Sequence, residues 1–200
     1  MKIRTVGIFL FDDVEVLDFA GPFEVFAVTV INRFAPDEFA PFDVTTVSEH
    51  GGMITARNGL KVMTDHSFQT APDYDILVIP GGMGTRREVH NLNVIKWIQE
   101  RMEQVELMTS VCTGSFLLAE AALLDGKSAT THWASINRMR ETYPSVAVQE
   151  NIKFVDAGSI ISSAGISAGI HMAFHVVHRL LGQEVAQGTA KDMEYDITFD

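Results

Sequence analysis

Cys112 is the only cysteine in a chain of 200 residues, and it stands where a nucleophile would be placed. It follows the apolar run Glu106-Leu107-Met108-Thr109-Ser110-Val111 and precedes Thr113-Gly114-Ser115-Phe116-Leu117-Leu118-Ala119. The first run reads as a short buried strand and the second as the opening of a helix. A cysteine on that corner has its sulfur near the positive end of a helix, which favours thiolate over thiol. Gly114 lets backbone approach closely in a tight turn. Serine hydrolases use the same device, with their nucleophile on a sharp strand-to-helix turn. A free cysteine is equally often a small buried hydrophobe. Cys112 alone does not decide between the two, so its partners must.

Two further features are expected at the carboxyl ends of strands, the edge along which open α/β sheets place their ligand sites. Asp18 lies just beyond the first apolar run, and Pro80-Gly81-Gly82 follows the second. A backbone amide of that glycine segment could pair with the amide of Thr113 as an oxyanion-type hole. Taken singly, Asp18 could merely cap a helix, and glycines at strand ends are common.

The elements that must hold these residues follow from periodicity. Thr5 to Phe11 and Asp75 to Ile79 are near-continuous apolar runs, as expected of strands covered on both faces of a parallel sheet. From Asp18 onward Phe19, Phe23, Phe26, Val30 and Phe34 recur at helical spacing, with Pro22 expected in the first turn. Phe42 to Ser48 reads as a strand, and Ile54 to Met63 as a hairpin around Asn58-Gly59. Asn93 to Gln104 reads as a helix. The helix after Cys112 is expected to reach Asp125 and end at Gly126. A short strand at Ser128 to His132, a helix from Trp133 to Glu141, and a hairpin flanking Asp156-Ala157-Gly158 follow. Ser167 is placed to N-cap a helix reaching Gly182, with another helix over Glu184 to Glu194. Strands alternating with helices predict an α/β sandwich around a mostly parallel sheet, as one domain over 1–200.

Composition narrows the class. A formal net charge of −11 argues against nucleic acid as a partner, because phosphate binding needs a basic face. No apolar stretch approaches the ~18 residues of a membrane span, and no signal peptide is evident. One cysteine suits a reducing compartment, so a cytoplasmic location is expected.

The segments Leu17-Asp18-Phe19-Ala20-Gly21-Pro22, Ile79-Pro80-Gly81-Gly82, Thr109-Ser110-Val111-Cys112-Thr113-Gly114, Ala129-Thr130-Thr131-His132-Trp133 and Ser163-Ala164-Gly165-Ile166-Ser167-Ala168-Gly169 together resemble the DJ-1/PfpI superfamily. Within it they most resemble the isonitrile hydratase branch. The resemblance implies a flavodoxin-like three-layer sandwich, usually a homodimer, acting on a small molecule without cofactor or metal. It implies that Cys112 is the elbow nucleophile, that Asp18 hydrogen-bonds its sulfur, and that the amides of Gly82 and Thr113 face the substrate. Gly81 and Ile166 would line the pocket. Many superfamily members carry glutamate where this chain has Asp18, and aspartate is the hydratase-like choice. Peptidase-like members have histidine directly after the cysteine, and Thr113 stands there instead. His132 matches a histidine near the cysteine in several relatives, and support of neighbouring groups or a structural role is expected of it ahead of catalysis.

That branch implies attack of the Cys112 thiolate on the terminal isonitrile carbon, with Asp18 as acid and then base. One carboxyl in both roles needs a pKa well above the ~3.9 of free aspartate. The alternatives are another small-electrophile hydrolase, a glyoxalase-like enzyme, a redox sensor, or a ligand-sensing domain like the N-terminal half of AraC-type regulators. Those regulators continue into a basic helix-turn-helix region, and a chain ending at Asp200 disfavours DNA binding. His171, His175 and His178 share one helix face, but no acid completes a zinc set, so a surface or dimer-facing role is expected.

Overall fold

The computed structural model describes residues 2–198. In chain order its elements are β1 (Arg4–Phe9), α1 (Val16–Val28), β2 (Phe42–Ser48), β3 (Gly52–Thr55), β4 (Lys61–Thr64), β5 (His66–Ser67) and β6 (Ile76–Ile79). There follow α2 (Thr85–Glu88), α3 (Leu92–Met102), β7 (Leu107–Val111), α4 (Gly114–Glu120), β8 (Ser128–Ala129), α5 (Ile136–Thr142) and β9 (Ala147–Val148). The last elements are β10 (Phe154–Asp156), β11 (Ile160–Ser163), α6 (Ala168–Leu181) and α7 (Gln183–Asp192).

Seven strands form the main sheet in the order β10-β11-β7-β6-β1-β2-β5. Every pairing is parallel except β10 with β11. The residues of β6 and β7 are buried throughout, which is why they read as unbroken apolar runs rather than as alternation. Helices α1, α6 and α7 pack together on the sheet, and α3 packs with α4. On the α3 side Phe9, Phe11, Phe68 and Trp97 form one aromatic cluster, with Phe68 stacked on Trp97 at 4.1 Å between ring centroids. The expected Asn58-Gly59 hairpin is present as β3 and β4, with Asn58 in the left-handed region at φ 66°. Among the described residues no helix is long and apolar enough to cross a membrane.

Several boundaries differ from the sequence expectation, each for a local reason. Helix α1 begins at Val16, so Pro22 lies inside it and forfeits the amide that would reach the Asp18 carbonyl. The helix stops at Val28, whose carbonyl is taken by Arg33 Nη2 at 2.8 Å, and the Thr29 hydroxyl donates back to Val25 at 2.6 Å. Val30 and Phe34 therefore lie outside it, and Phe34 is exposed. Helix α4 ends at Glu120, and the chain reaches Gly126 through turns in which Ala122 takes φ 59°. Only Ser128 and Ala129 of the expected strand there pair, with β9 in a separate two-stranded ribbon. Ser167 precedes α6 without a side-chain cap bond and has helical backbone angles.

Candidate active site

Cys112 lies between β7 and α4 with φ 57°, a left-handed backbone that a non-glycine residue adopts only when its surroundings enforce it. The surroundings do so. The Cys112 amide donates to the carbonyls of Ser163 and Ala164, at 3.1 and 3.2 Å. Its carbonyl accepts from Thr131 Oγ1 at 2.9 Å and Ser115 Oγ at 3.0 Å. Gly114 completes the corner, because a Cβ there would sit 2.0 Å from the Ile79 carbonyl oxygen. The fold thus holds the cysteine in a strained turn from four directions and leaves its sulfur facing a cavity.

Asp18, in the first turn of α1, is fully buried. Its Oδ2 accepts the Gly81 amide at 3.0 Å, its Oδ1 accepts the Ile166 amide at 3.1 Å, and its carboxyl hydrogen-bonds the Cys112 thiol. Gly81 is required by this closeness, since a Cβ on it would come within 2.5 Å of the Thr113 nitrogen and 2.9 Å of Asp18 Oδ2. Ile166 reaches the carboxylate only by taking φ 57°, an outlier for a β-branched residue. No cation neutralises Asp18 among the described residues. Burial pushes its pKa up to about 7; the Gly81 amide, the Cys112 thiol and the Ile166 amide pull it down, and the charge of Glu15 pushes it further up.

The expectation of a thiolate favoured at Cys112 is corrected. Burial and then the Asp18 charge push the Cys112 thiol up to about 12, outweighing the hydrogen bonds from the Thr113 amide and hydroxyl. Helix α4 is only seven residues long, and its field does not offset burial beside a carboxylate. With Asp18 protonated, the repulsion disappears while the Thr113 donors remain. The two groups, buried and hydrogen-bonded to each other, therefore titrate as a coupled pair.

The glycine segment is also used differently from expectation. The Gly82 amide donates to Thr113 Oγ1 at 3.0 Å, and the Gly81 amide goes to Asp18. Neither points free into the cavity, so the expected pairing of Gly82 with Thr113 as an oxyanion hole is not formed. Thr85 Oγ1 lies 3.1 Å from Thr113 Oγ1 and donates to the Gly82 carbonyl at 2.7 Å. The Thr113 amide faces the Cys112 sulfur.

His132 lines the same cavity, its ring against Gly165, where a Cβ would collide with Cδ2 at 2.1 Å. Its Nδ1 accepts the Ala134 amide at 3.3 Å, which leaves the proton of the neutral ring on Nε2. Among the described residues no hydrogen bond joins it to Cys112.

The cavity over the sulfur measures about 240 Å³ and is lined by residues that include Cys112, Thr113, Gly82, His132, Ile166 and Met83. Sequence reasoning missed much of its wall, including Glu15, Thr85 and three arginines, Arg57, Arg86 and Arg138. These arrive from separate segments with no motif linking them. The histidines of α6 are elsewhere. His175 pairs with Asp156 at 2.8 Å and His171 contacts Lys153 Nζ at 2.6 Å. Among the described residues no group of three His, Cys, Asp or Glu side chains is arranged to hold a metal.

Comparison with known proteins shows the family. A model of the DJ-1/PfpI family matches residues 4–179. The isonitrile hydratase of Pseudomonas putida is 32% identical over 190 residues, covering 95% of this chain and 78% of that protein. The HTH-type transcriptional regulator GbdR of Pseudomonas aeruginosa is 30% identical over 162 residues, which are 81% of this chain but only 43% of the regulator. The crystal structure of a ThiJ/PfpI family protein from Pseudomonas syringae superposes with a TM-score of 0.86 at 24% identity, covering 100% of this chain and 78% of the other.

Proposed function

The chain belongs to the DJ-1/PfpI family, and from that premise we propose that it hydrates small isonitriles to N-substituted formamides through a covalent Cys112 adduct. The observation that carries the proposal is the buried carboxyl of Asp18, without a cation among the described residues, hydrogen-bonded to the cysteine and raised to about 7. An isonitrile carbon is first electrophile and then base. Hydration therefore needs one nucleophile and one group that gives and takes protons at neutral pH.

The reaction balances on these two residues. Asp18 carboxylate takes the thiol proton as Cys112 sulfur bonds to the terminal carbon of the isonitrile. The same proton passes to that carbon, giving a thioimidate, R–N=CH–S–Cys112, and restoring the carboxylate. Water then adds to the thioimidate carbon with Asp18 as base, and the proton removed is delivered to nitrogen. Collapse of the tetrahedral adduct breaks the carbon–sulfur bond, and the hydroxyl proton returns through Asp18 to sulfur. The sum is R–NC plus water giving R–NH–CHO. The Thr113 amide and hydroxyl stabilise charge on sulfur as it leaves. We place the enzyme in the cytoplasm as a homodimer, which equilibrium sedimentation reads directly.

A second reading is a ligand-sensing domain without turnover, favoured by the identity to a transcriptional regulator over 81% of this chain. Formamide production from a panel of alkyl and aryl isonitriles separates the two. The hydratase reading expects turnover in the wild type and none in Cys112→Ala. Ligand binding without turnover in the wild type supports the sensor.

A further inference from the structure

The cavity over Cys112 holds more positive charge than hydration of a neutral isonitrile requires. Of its three arginines, Arg57 is engaged, with Nη1 2.8 Å from Glu15 Oε2. Arg86 and Arg138 have no carboxylate within ion-pair distance among the described residues. The Arg138 guanidinium lies over the Phe116 ring at 4.2 Å, and its Nε is buried with no hydrogen-bond partner among the described residues. Burial and then the neighbouring charge of Arg86 hold Arg138 below its usual range. Two like charges therefore face each other at a cavity wall, in a chain with 26 acidic and only 15 Lys and Arg residues.

A second cavity of about 290 Å³ shares Thr85, Arg86 and Arg138 with the first. The carboxylates lining the two spaces are both occupied. Glu15 serves Arg57, and Glu120 accepts the Tyr143 hydroxyl at 2.7 Å. Acids are abundant on this protein, yet among the described residues none neutralises the pair. A planar guanidinium with free N–H groups is suited to a carboxylate, which it can hold through two parallel bonds.

We propose that the substrate is an isonitrile bearing a carboxylate, which Arg86 and Arg138 seat where the two cavities meet while the isonitrile carbon reaches Cys112. The inference rests on the hydratase reading and adds a substrate class to it. The two arginines select the substrate and take no part in proton transfer.

The test compares kcat/KM for 3-isocyanopropanoate with that for its neutral methyl ester, in wild type, Arg86→Gln and Arg138→Gln. Wild type should prefer the carboxylate by ~10-fold or more, the scale of one charge-assisted hydrogen bond. Each substitution should remove most of that preference. Arg86 is exposed, so Arg86→Gln reports even if the half-buried Arg138→Gln fails to fold. A second readout needs no turnover. The product 3-formamidopropanoate should slow alkylation of Cys112 by iodoacetamide in wild type, and its methyl ester should not. Turnover with equal rates for acid and ester overturns the inference and leaves the hydratase reading standing. Arginine-dependent protection without turnover of any isonitrile overturns the hydratase reading and keeps the anion seat.

Discussion

Asp18 and Asp156 are aspartates that each accept several hydrogen bonds, and their carboxyls move in opposite directions. At Asp156, partial burial pulls the pKa up, but His175, the Gly158 amide and Arg179 outweigh it and hold the carboxyl below its usual range. At Asp18, burial is complete and the donors are two amides and a thiol, so burial wins and the pKa rises to about 7. The difference is burial first, complete at Asp18 and partial at Asp156, and the cation beside Asp156 second. Asp156 has Arg179 Nη1 at 3.0 Å from both carboxylate oxygens and is an anchor for α6 on β10. Asp18 is fully buried with no cation beside it among the described residues, and burial raises its proton affinity toward neutral pH. A carboxyl of the first kind holds structure together; one of the second kind can move a proton.

Substitution tests that division most strongly through turnover. Asp18→Asn should lower kcat/KM by roughly 10²- to 10⁴-fold, the range for loss of a positioned acid-base group, while Asp156→Asn leaves it unchanged. Steady-state assays on one isonitrile check both. If Asp156→Asn matched Asp18→Asn in its loss, the division would be wrong.

The next effect is on stability, and the two residues act in separate pH windows. Because the folded pKa of Asp18 is raised, its contribution is present below the unfolded value and is lost as pH rises through about 7. The stability of Asp18→Asn relative to wild type should therefore improve from pH 5 to pH 8, by roughly 2–3 kcal/mol at about 1.4 kcal/mol per pKa unit. The folded pKa of Asp156 is lowered, so its contribution is present above the unfolded value and lost as pH falls through the folded one. Asp156→Asn should cost about 1 kcal/mol at pH 7, in keeping with a partly exposed ion pair. That cost should disappear toward pH 3. Urea melts of the three proteins at pH 3, 5 and 8 give both differences.

The parts of this contrast that were legible in sequence are those carried by local pattern. The apolar runs of β1, β6 and β7 announced strands buried on both faces, and their carboxyl ends located Asp18, Gly81 and Cys112 together. Asn58-Gly59 marked its hairpin because both positions take a positive φ, 66° at Asn58 and 95° at Gly59. What stayed hidden depends on groups distant in the chain. Nothing near Cys112 in sequence shows that burial beside Asp18 raises its thiol, and nothing near Gly82 shows that its amide is taken by a hydroxyl 31 residues away. The reach of α1 past Pro22 depends on tertiary packing that outweighs one lost amide. Arg86 and Arg138 carry no signal at all until the fold brings them to one wall.

The most direct test of the central claim, that Asp18 and Cys112 share one mobile proton, is the pH dependence of kcat/KM for isonitrile hydration. Below about 7 the pair holds two protons, and Asp18 cannot accept the thiol proton. The rate should rise about tenfold per pH unit up to that point and then level, since kcat/KM reports the free enzyme. Asp18→Asn should lose the break near 7 along with most of its rate. A profile that is flat from pH 5 to 8, or one that keeps its break in Asp18→Asn, would contradict the claim.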